Sequence, residues 1–352
     1  MRLSSPRRPV ALLAAVVLTA LLAACGSSAA RTDAASPAGT APPATLATHV
    51  PAGTTLRVGD QLDYLQLVLS LSGQDKGLPY KVDYGAFIGG PPMLQAFQAG
   101  AIDTGFVGST PLIFAQAGDQ GIAAVAGWAS QHSSYTLLTA PGETGVKRWA
   151  DLKGKKVAFQ QGTAGEAVVL EALASAGLTL SDITPVNVVQ TQVTAALQGH
   201  SADAGVSVEP LTSVYLAKNP TATQAGTADA ITDRSSFLIA TRSALQDPAK
   251  AAALGDYIAR LVRGFAYLRA HPELVAQAVY VKQYGLTPAR AAVIQQQVGP
   301  TSFLSLPGSV QPAQQHLADL FHSAGEIPAT LDVAQEFDTR YNQLVQQVQA
   351  HP

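Results

Sequence analysis

Pro91-Pro92-Met93-Leu94-Gln95-Ala96-Phe97-Gln98-Ala99-Gly100, followed at once by Ile102-Asp103-Thr104-Gly105-Phe106-Val107, decides the fold of this 352-residue chain. Prolines suit the first turn of a helix, where backbone N–H groups have no intrahelical partner. Met93, Leu94 and Phe97 share one face, and Gly100 supplies the stop. The run from Ile102 to Val107 reads as a strand. A short amphipathic helix feeding a strand is the repeating part of an α/β fold with a mostly parallel sheet.

The pattern extends both ways. Leu56–Gly59 and Lys81–Tyr84 read as earlier strands, and Ile122–Ala126 and Tyr135–Leu138 as later ones. After a connector at Pro141-Gly142 a second series begins: strand Lys155–Gln160, helix Ala164–Ala176 stopped by Gly177, strand Val186–Val189, short helix Val193–Gln198 and strand Ala202–Val208. Phe237–Ala240 reads as the strand that carries the chain back. From Pro248 the pattern is helical to the end, with Leu261, Phe265 and Leu268 on one stripe, then Leu274, Val275 and Val279. The expectation is two α/β domains, 54–140 with 238–352 and 141–237, joined by two crossings that act as a hinge. Ligands of open α/β sheets bind beyond the carboxyl ends of the strands, so two such sheets facing each other would share a cleft.

Upstream, Arg2, Arg7 and Arg8 precede an apolar run from Val10 to Ala24, too short for a membrane span of ~20 residues. It reads as an export signal over 1–24. The chain's single cysteine, Cys25, ends Leu22-Ala23-Ala24-Cys25, which resembles a bacterial lipoprotein signal. That resemblance implies a lipidated Cys25 and a domain anchored to the cell membrane on its periplasmic or outer face. Residues 25–53, rich in Ala, Ser, Thr, Gly and Pro, read as a flexible tether. Removing 1–24 takes three arginines and no acid, leaving 19 basic residues against 24 acidic and a formal charge of −5. That sign, without a basic patch, excludes nucleic acid as a partner.

In order along the mature chain, Pro92–Gly100 with Ile102-Asp103, Gly108-Ser109-Thr110-Pro111-Leu112-Ile113-Phe114-Ala115-Gln116-Ala117, Trp149-Ala150-Asp151-Leu152-Lys153-Gly154-Lys155-Lys156-Val157-Ala158, Ala318-Asp319-Leu320-Phe321 and Ile327-Pro328-Ala329-Thr330-Leu331-Asp332-Val333 resemble one family. It is that of extracytoplasmic solute-binding proteins of ABC importers for aliphatic sulfonates, taurine and nitrate. The resemblance implies a type II periplasmic-binding-protein fold, a monomer, a small solute, no cofactor or metal, and a membrane permease with ATPase subunits as partner. The chain has no Walker A motif, so it cannot power transport itself. An aliphatic sulfonate or a taurine-like solute leads; nitrate and a heterocyclic amine of the pyrimidine or thiamine-precursor type remain open.

Candidate ligand contacts follow from the strand ends. Ser109 and Thr110 follow the third strand, with Pro111 at the first helical position and Thr110 as N-cap, so free N–H groups would meet a sulfonate or carboxylate. Thr163 and Ala164 open the equivalent helix of the second series, and Gln161 could point into the cleft. Thr163 and Glu166 have capping-box spacing, which makes Glu166 structural. Asp60 and Gln61 end the first strand, and Glu209 ends Ala202–Val208. The family often carries aromatic residues near this Glu-Pro site; here Gly205, Ser207 and Val208 stand instead, leaving Trp128 and Tyr64 to supply aromatic surface. Ser235 precedes the return strand as a hydroxyl donor, beside Arg234, which could pair bidentately with a sulfonate but reads first as a surface residue. Asp60 and Glu209, if both face the cleft, would favour an amine-bearing ligand such as taurine.

Enzyme readings fare poorly. With one cysteine at the lipidation site, no G-x-S-x-G elbow, no H-E-x-x-H and seven scattered histidines, nucleophile and metal signatures are lacking. Only the pair Asp60 and Glu209 offers acid–base chemistry.

Overall fold

The computed structural model describes residues 49–229 and 234–352; the expected signal 1–24, Cys25 and the tether up to residue 48 lie outside the described residues. Val50, expected in the tether, is buried in the same apolar cluster as Leu56 and Val58. In chain order the elements are β1 (Thr55–Gln61), α1 (Tyr64–Leu71), β2 (Lys81–Phe87), α2 (Gly90–Gln98), β3 (Thr104–Gly108), α3 (Ser109–Ala117), β4 (Ile122–Ser130), β5 (Tyr135–Thr139), β6 (Lys156–Phe159), α4 (Ala164–Ser175), β7 (Thr184–Asn187), α5 (Val193–Gln198), β8 (Ala204–Val208) and α6 (Leu211–Lys218). Then come β9 (Gln224–Thr227), β10 (Ser235–Thr241), α7 (Arg242–Gln246), α8 (Pro248–Ala270), α9 (Pro272–Val275), a π-helical stretch Ala276–Gln283, α10 (Pro288–Val298), β11 (Thr301–Leu304), α11 (Val310–Ser323) and α12 (Asn342–Ala350).

The strands form two sheets, ordered β11-β4-β10-β3-β1-β2 and β7-β6-β8-β5-β9. Both are mixed rather than mostly parallel. The return strand β10 comes from the second sheet and enters the first between β3 and β4, antiparallel to both. In the second sheet β5 runs antiparallel to β8 and β9. Tyr135–Thr139 therefore belongs to the second sheet, although the boundary at 140 would place it with the first. The crossings fall before 135 and before 235. β11 interrupts the segment expected to be wholly helical, pairing with β4 at the sheet edge.

Helix α8 shows how sequence makes the layer over the first sheet. Asp247 caps it, accepting hydrogen bonds from the N–H groups of Ala249 (2.9 Å) and Lys250 (3.1 Å), and Pro248 occupies its first turn. Its stripe of Leu254, Ile258, Leu261 and Phe265 is buried against β1, β4 and α1 residues such as Val58, Val125 and Leu65. Each such side chain contributes about 1.5–3 kcal/mol relative to exposure. A separate cluster joins α11 to α3 and α4 through Ile113, Leu170, Leu317 and Phe321, so the C-terminal segment packs on helices of both sheets.

Asp103, at the start of β3, ties three elements together. Its carboxylate accepts hydrogen bonds from Arg57 N (3.0 Å), Arg57 Nε (3.1 Å), Arg57 Nη2 (2.6 Å) and Lys250 Nζ (2.8 Å). Burial pushes this carboxyl up, but the bonds from Arg57 and Lys250 outweigh it and hold the group below the usual range. Its stabilisation is therefore present above the usual carboxylate range and is lost as pH falls below it. Asp103→Asn is expected to cost about 2–3 kcal/mol in urea unfolding at pH 7, less than the ~3–5 of a fully buried pair because the Arg57 side chain is exposed on one side.

Candidate functional site

The register of each sheet collects polar residues on one edge. Strands β1, β3 and β4 run out at Gln61, Gly108 and Ser130. Because β10 enters in the opposite direction, Ser235 lies opposite Ala129, and Ser236 opposite both Gly108 and Trp128. In the second sheet Tyr135 lies opposite Val208, just before Glu209. These two edges enclose a cavity of about 1090 Å³ lined from both sheets.

Three helix N-termini reach that cavity: Gly89 and Gly90 at α2, Gly108 and Pro111 at α3, Thr163 and Ala164 at α4. The approach is close enough to require glycine at Gly90, where a Cβ would overlap the Pro111 ring. Gly89 has φ +84°, and a Cβ there would lie 3.1 Å from Gln160 Nε2, so the β2–α2 turn touches the second sheet's side. Thr163 Oγ1 accepts from Gly165 N (3.2 Å) and donates to the Gln160 carbonyl (2.7 Å). Gln160 Oε1 accepts from Gln190 N (2.9 Å), which fixes the side chain that lines the cavity. Backbone N–H groups of helix N-termini carry partial positive charge and suit an anion.

Arg234 adds a full positive charge. It lines the cavity at φ 58°, a left-handed conformation uncommon for a side-chain-bearing residue. Its Nε is buried without a hydrogen-bond partner, and no ion pair to it is found among the described residues. The reading of Arg234 as a surface residue is thus corrected.

An aromatic wall stands on the other side. Trp128 packs against Phe106 (6.0 Å between ring centres), Phe265 (5.5 Å) and Phe303 (5.6 Å), and Tyr64 against Phe106 (5.5 Å) and Phe265 (5.9 Å). Trp128 is almost wholly buried in this cluster yet still lines the cavity.

The two acids do not act as a cleft pair. Asp60 is fully buried, and its carboxylate accepts from the N–H groups of Leu65 (2.9 Å) and Gln66 (3.0 Å). It caps α1 and does not line the cavity; burial raises its pKa against those bonds. Glu209 does line it, but accepts from Ser213 Oγ (2.9 Å) and Ser213 N (3.2 Å) at the start of α6. Arg290 Nη2 stands 3.6 Å from Glu209 Oε1 and also donates to Ser213 Oγ (2.7 Å), so this acid is already neutralised from α10. The expected binding of an amine by Asp60 and Glu209 together, and their acid–base pairing, are not supported by this placement.

Of the other expected contacts, Gln61, Trp128, Thr163, Ala164 and Ser235 line the cavity, with Gln61 Nε2 donating to the Phe106 carbonyl (2.7 Å). Ser109, Thr110 and Gln161 do not. Helix α3 starts two residues early, with Gly108 as N-cap, so Pro111 is its third residue and Thr110 is buried within the first turn. Ser109 is buried, and its backbone carbonyl accepts from Gln314 Nε2 of α11 (3.1 Å). Gln161 pairs with Asn187 instead, accepting from Nδ2 (2.9 Å). Residues missed by sequence are Gln160, Gln190, Phe265 and Tyr280. For Gln160 the strand alternation after Ala158 was the available signal. Glu166, as expected, is structural: its Oε2 accepts from Gly162 N (2.8 Å), one residue before the expected cap.

Comparison with known proteins shows the family and the fold. Residues 81–274 match the family described as NMT1/THI5 like. A protein of Escherichia coli named for binding aliphatic sulfonates is 31% identical over 283 residues, covering 80% of this chain and 87% of its own. The alkanesulfonate-binding protein SsuA from Xanthomonas axonopodis pv. citri, solved bound to MOPS, superposes with a TM-score of 0.71 at 27% identity, covering 82% of this chain and 99% of its own. The periplasmic aliphatic sulphonate binding protein SsuA of Escherichia coli gives 0.69 at 30% identity, covering 81% and 92%. The two-sheet architecture is that of these periplasmic binding proteins.

Proposed function

The chain belongs to the NMT1/THI5-like family, and on that premise we propose that it captures an organic sulfonate in the cavity between its sheets and delivers it to the permease of an ABC importer. The observation that carries this reading is Arg234, a cation lining the cavity without an ion-pair partner among the described residues, at an edge where α2, α3 and α4 open. A sulfonate stays ionised at physiological pH and offers three acceptor oxygens. The α2, α3 and α4 N-termini and a guanidinium fork match that head group. The residues proposed to touch it are Arg234, Ser235, Thr163, Ala164 and Gln160, with Gln61 and Trp128 toward the tail. The relatives named for sulfonates have the same architecture, which supports the assignment.

Two halves, one around each sheet, close over the ligand because it contacts both and so favours the closed arrangement. The crossings before 135 and before 235 serve as the hinge. Cys25 is the lipidation site, and the segment that follows tethers a monomeric binding protein to the outer face of the membrane. A binding protein returns its ligand unchanged, so no turnover is expected.

A thermal-shift titration of the purified full chain tests the reading. Alkanesulfonates are expected to raise Tm with concentration, by about 2.7 kcal/mol of stabilisation at a hundredfold excess over Kd. A shift with nitrate or a cationic heterocycle, and none with any sulfonate, would refute it.

A further inference from the structure

We infer that α10 is a strut across the hinge, and that the joint of Arg290 with Ser213 and Glu209 sets the angle between the two halves. The inference rests on the closure proposed above and goes further by naming the side chain that biases it.

The first observation is where α10 is fastened. Its C-terminal end is held on the first crossing: His132 N donates to the Val298 carbonyl (3.1 Å), and Gln131 N to the Pro300 carbonyl (3.0 Å). Gly299, between them, has φ +68°, and a Cβ there would lie 2.9 Å from the Gln131 Cβ, too close without a shift. The N-terminal end of α10 is held by the second half. Arg290 donates to Ser213 Oγ from Nε (3.0 Å) and from Nη2 (2.7 Å), and Nη2 stands 3.6 Å from Glu209 Oε1. Eight residues separate Arg290 from Val298, roughly 12 Å along a helix.

The second observation is that both partners of the joint are themselves held. Ser213 Oγ donates to Glu209 Oε1 (2.9 Å), and α6 is fixed to β5 by the buried Tyr215 hydroxyl, which donates to the Thr139 carbonyl (2.9 Å). Glu209 N donates to the Ser134 carbonyl (3.0 Å), which brings the contacts back to the crossing. On the other side, Thr287 Oγ1 accepts from Arg290 N (3.2 Å) and caps α10. Ala291 and Ile294 bury against Ala276 and Tyr280. Helix, crossing and α6 thus form a closed loop of contacts with the hinge inside it. A change of angle between the halves must break that loop, and the guanidinium joint is its link from side chain to side chain.

The third observation separates the joint from the ligand. Glu209 lines the cavity, but Arg290 and Ser213 do not. Arg290 therefore acts through the arrangement of the halves and is a positioning residue. The arrangement it holds is the one in which both sheets enclose the cavity. Apparent affinity scales with the fraction of molecules in the binding-competent arrangement, so the joint raises affinity without touching the solute.

Small-angle X-ray scattering of the ligand-free full chain, with stopped-flow release of octanesulfonate, tests this on the parent, Arg290→Met, Ser213→Ala and the double variant. Each single variant is expected to raise the radius of gyration and to speed release by roughly three- to tenfold, with association little changed. That range is a charge-assisted bond discounted for an arginine side chain 38% exposed. The double variant should go no further than either single one, because both break the same joint. Ser213→Ala removes no charge, so it separates the joint from the charge of Glu209 and serves alone should Arg290→Met not fold. Unchanged scattering and release in both variants overturns the inference, and so does faster release in Arg290→Met alone. Scattering needs no ligand: failure of octanesulfonate to bind the parent would count against the sulfonate reading, and the scattering would still decide the strut.

Discussion

Replacing Arg234 with glutamine is expected to weaken binding of every sulfonate by about a hundredfold while leaving the unliganded protein as stable as before. A charge-assisted hydrogen bond is worth about 1.5–3 kcal/mol, or roughly 10–150-fold in affinity. The Arg234 side chain stands at the cavity without an ion pair among the described residues, and its Nε has no partner. Among the described residues its removal therefore strands no ion-pair partner. The Tm without ligand should hold or rise slightly, because the substitution removes a buried Nε that has no hydrogen-bond partner while the backbone conformation is unchanged. Arg234→Lys should recover only part of the loss, since an ammonium lacks the planar fork that meets two sulfonate oxygens. Titration calorimetry on the two variants, beside their melting curves, reads affinity and stability separately. An unchanged affinity for alkanesulfonates in Arg234→Gln would remove the guanidinium from the site.

The helix–strand unit around residues 90–108 was legible because its signals are local. Prolines at the start of α2, an apolar face at Met93, Leu94 and Phe97, and a glycine after its end all act within one turn of the residues they govern. The place of β10 in its sheet was not legible. Its residues read as a strand, but its position between β3 and β4 is fixed by pairings with residues more than 100 positions away. Thr301–Leu304 was hidden for a related reason: four residues carry too little period to outweigh the helices on both sides, and edge pairing with β4 alone makes them a strand. The site followed the same division. Of the residues read at strand ends, Gln61, Thr163, Glu209 and Ser235 line the cavity, but side-chain direction along the strand puts Gln160 there rather than Gln161. Asp60 shows a further limit. A short acid after a strand serves equally as a ligand contact or a helix cap, and the choice depended on how α1 turned back toward it. Whether Arg234 faced solvent or the cavity depended on the shape of two sheets together, which no local pattern encodes.

Stability is expected to fall as pH rises from about 5 to 9, the reverse of the trend set by paired carboxylates, and two buried glutamates account for it. Burial pushes Glu336 up to about 8, against one opposing hydrogen bond from Gln314 Nε2 at 2.8 Å. Burial likewise pushes Glu166 up to about 7, with the Gly162 N–H opposing it and the charge of Glu326 adding to the rise. Each has a second carboxyl oxygen with no hydrogen-bond partner. In the folded chain these groups hold a proton that the unfolded chain releases near pH 4.5. Folding is therefore favoured most below that value, and the advantage is lost as pH climbs to about 7 for Glu166 and about 8 for Glu336. Glu336→Gln keeps an acceptor for Gln314 but cannot ionise. It should leave stability at pH 5 nearly unchanged and raise it by about 2 kcal/mol at pH 9, a conservative share of the ~1.4 kcal/mol per pKa unit that the displacement implies. Glu166→Gln should flatten the curve earlier, between pH 5 and 7. The position gives the titration a functional reach. Gln314 joins Glu336 to the carbonyl of Ser109 at the start of α3, and Glu166 holds the turn that opens α4 at the cavity. The hydrogen bonds these carboxyls accept favour their ionised form, so ionisation does not loosen the two helix N-termini but places negative charge behind them. That charge opposes an anionic ligand, so affinity should weaken over the same pH range in the parent chain and less in the glutamine variants. Calorimetric melting from pH 5 to 9 with all three proteins is the check. A parent Tm that rises through this range would show that both carboxyls ionise without penalty, and the two variants would then match it at every pH.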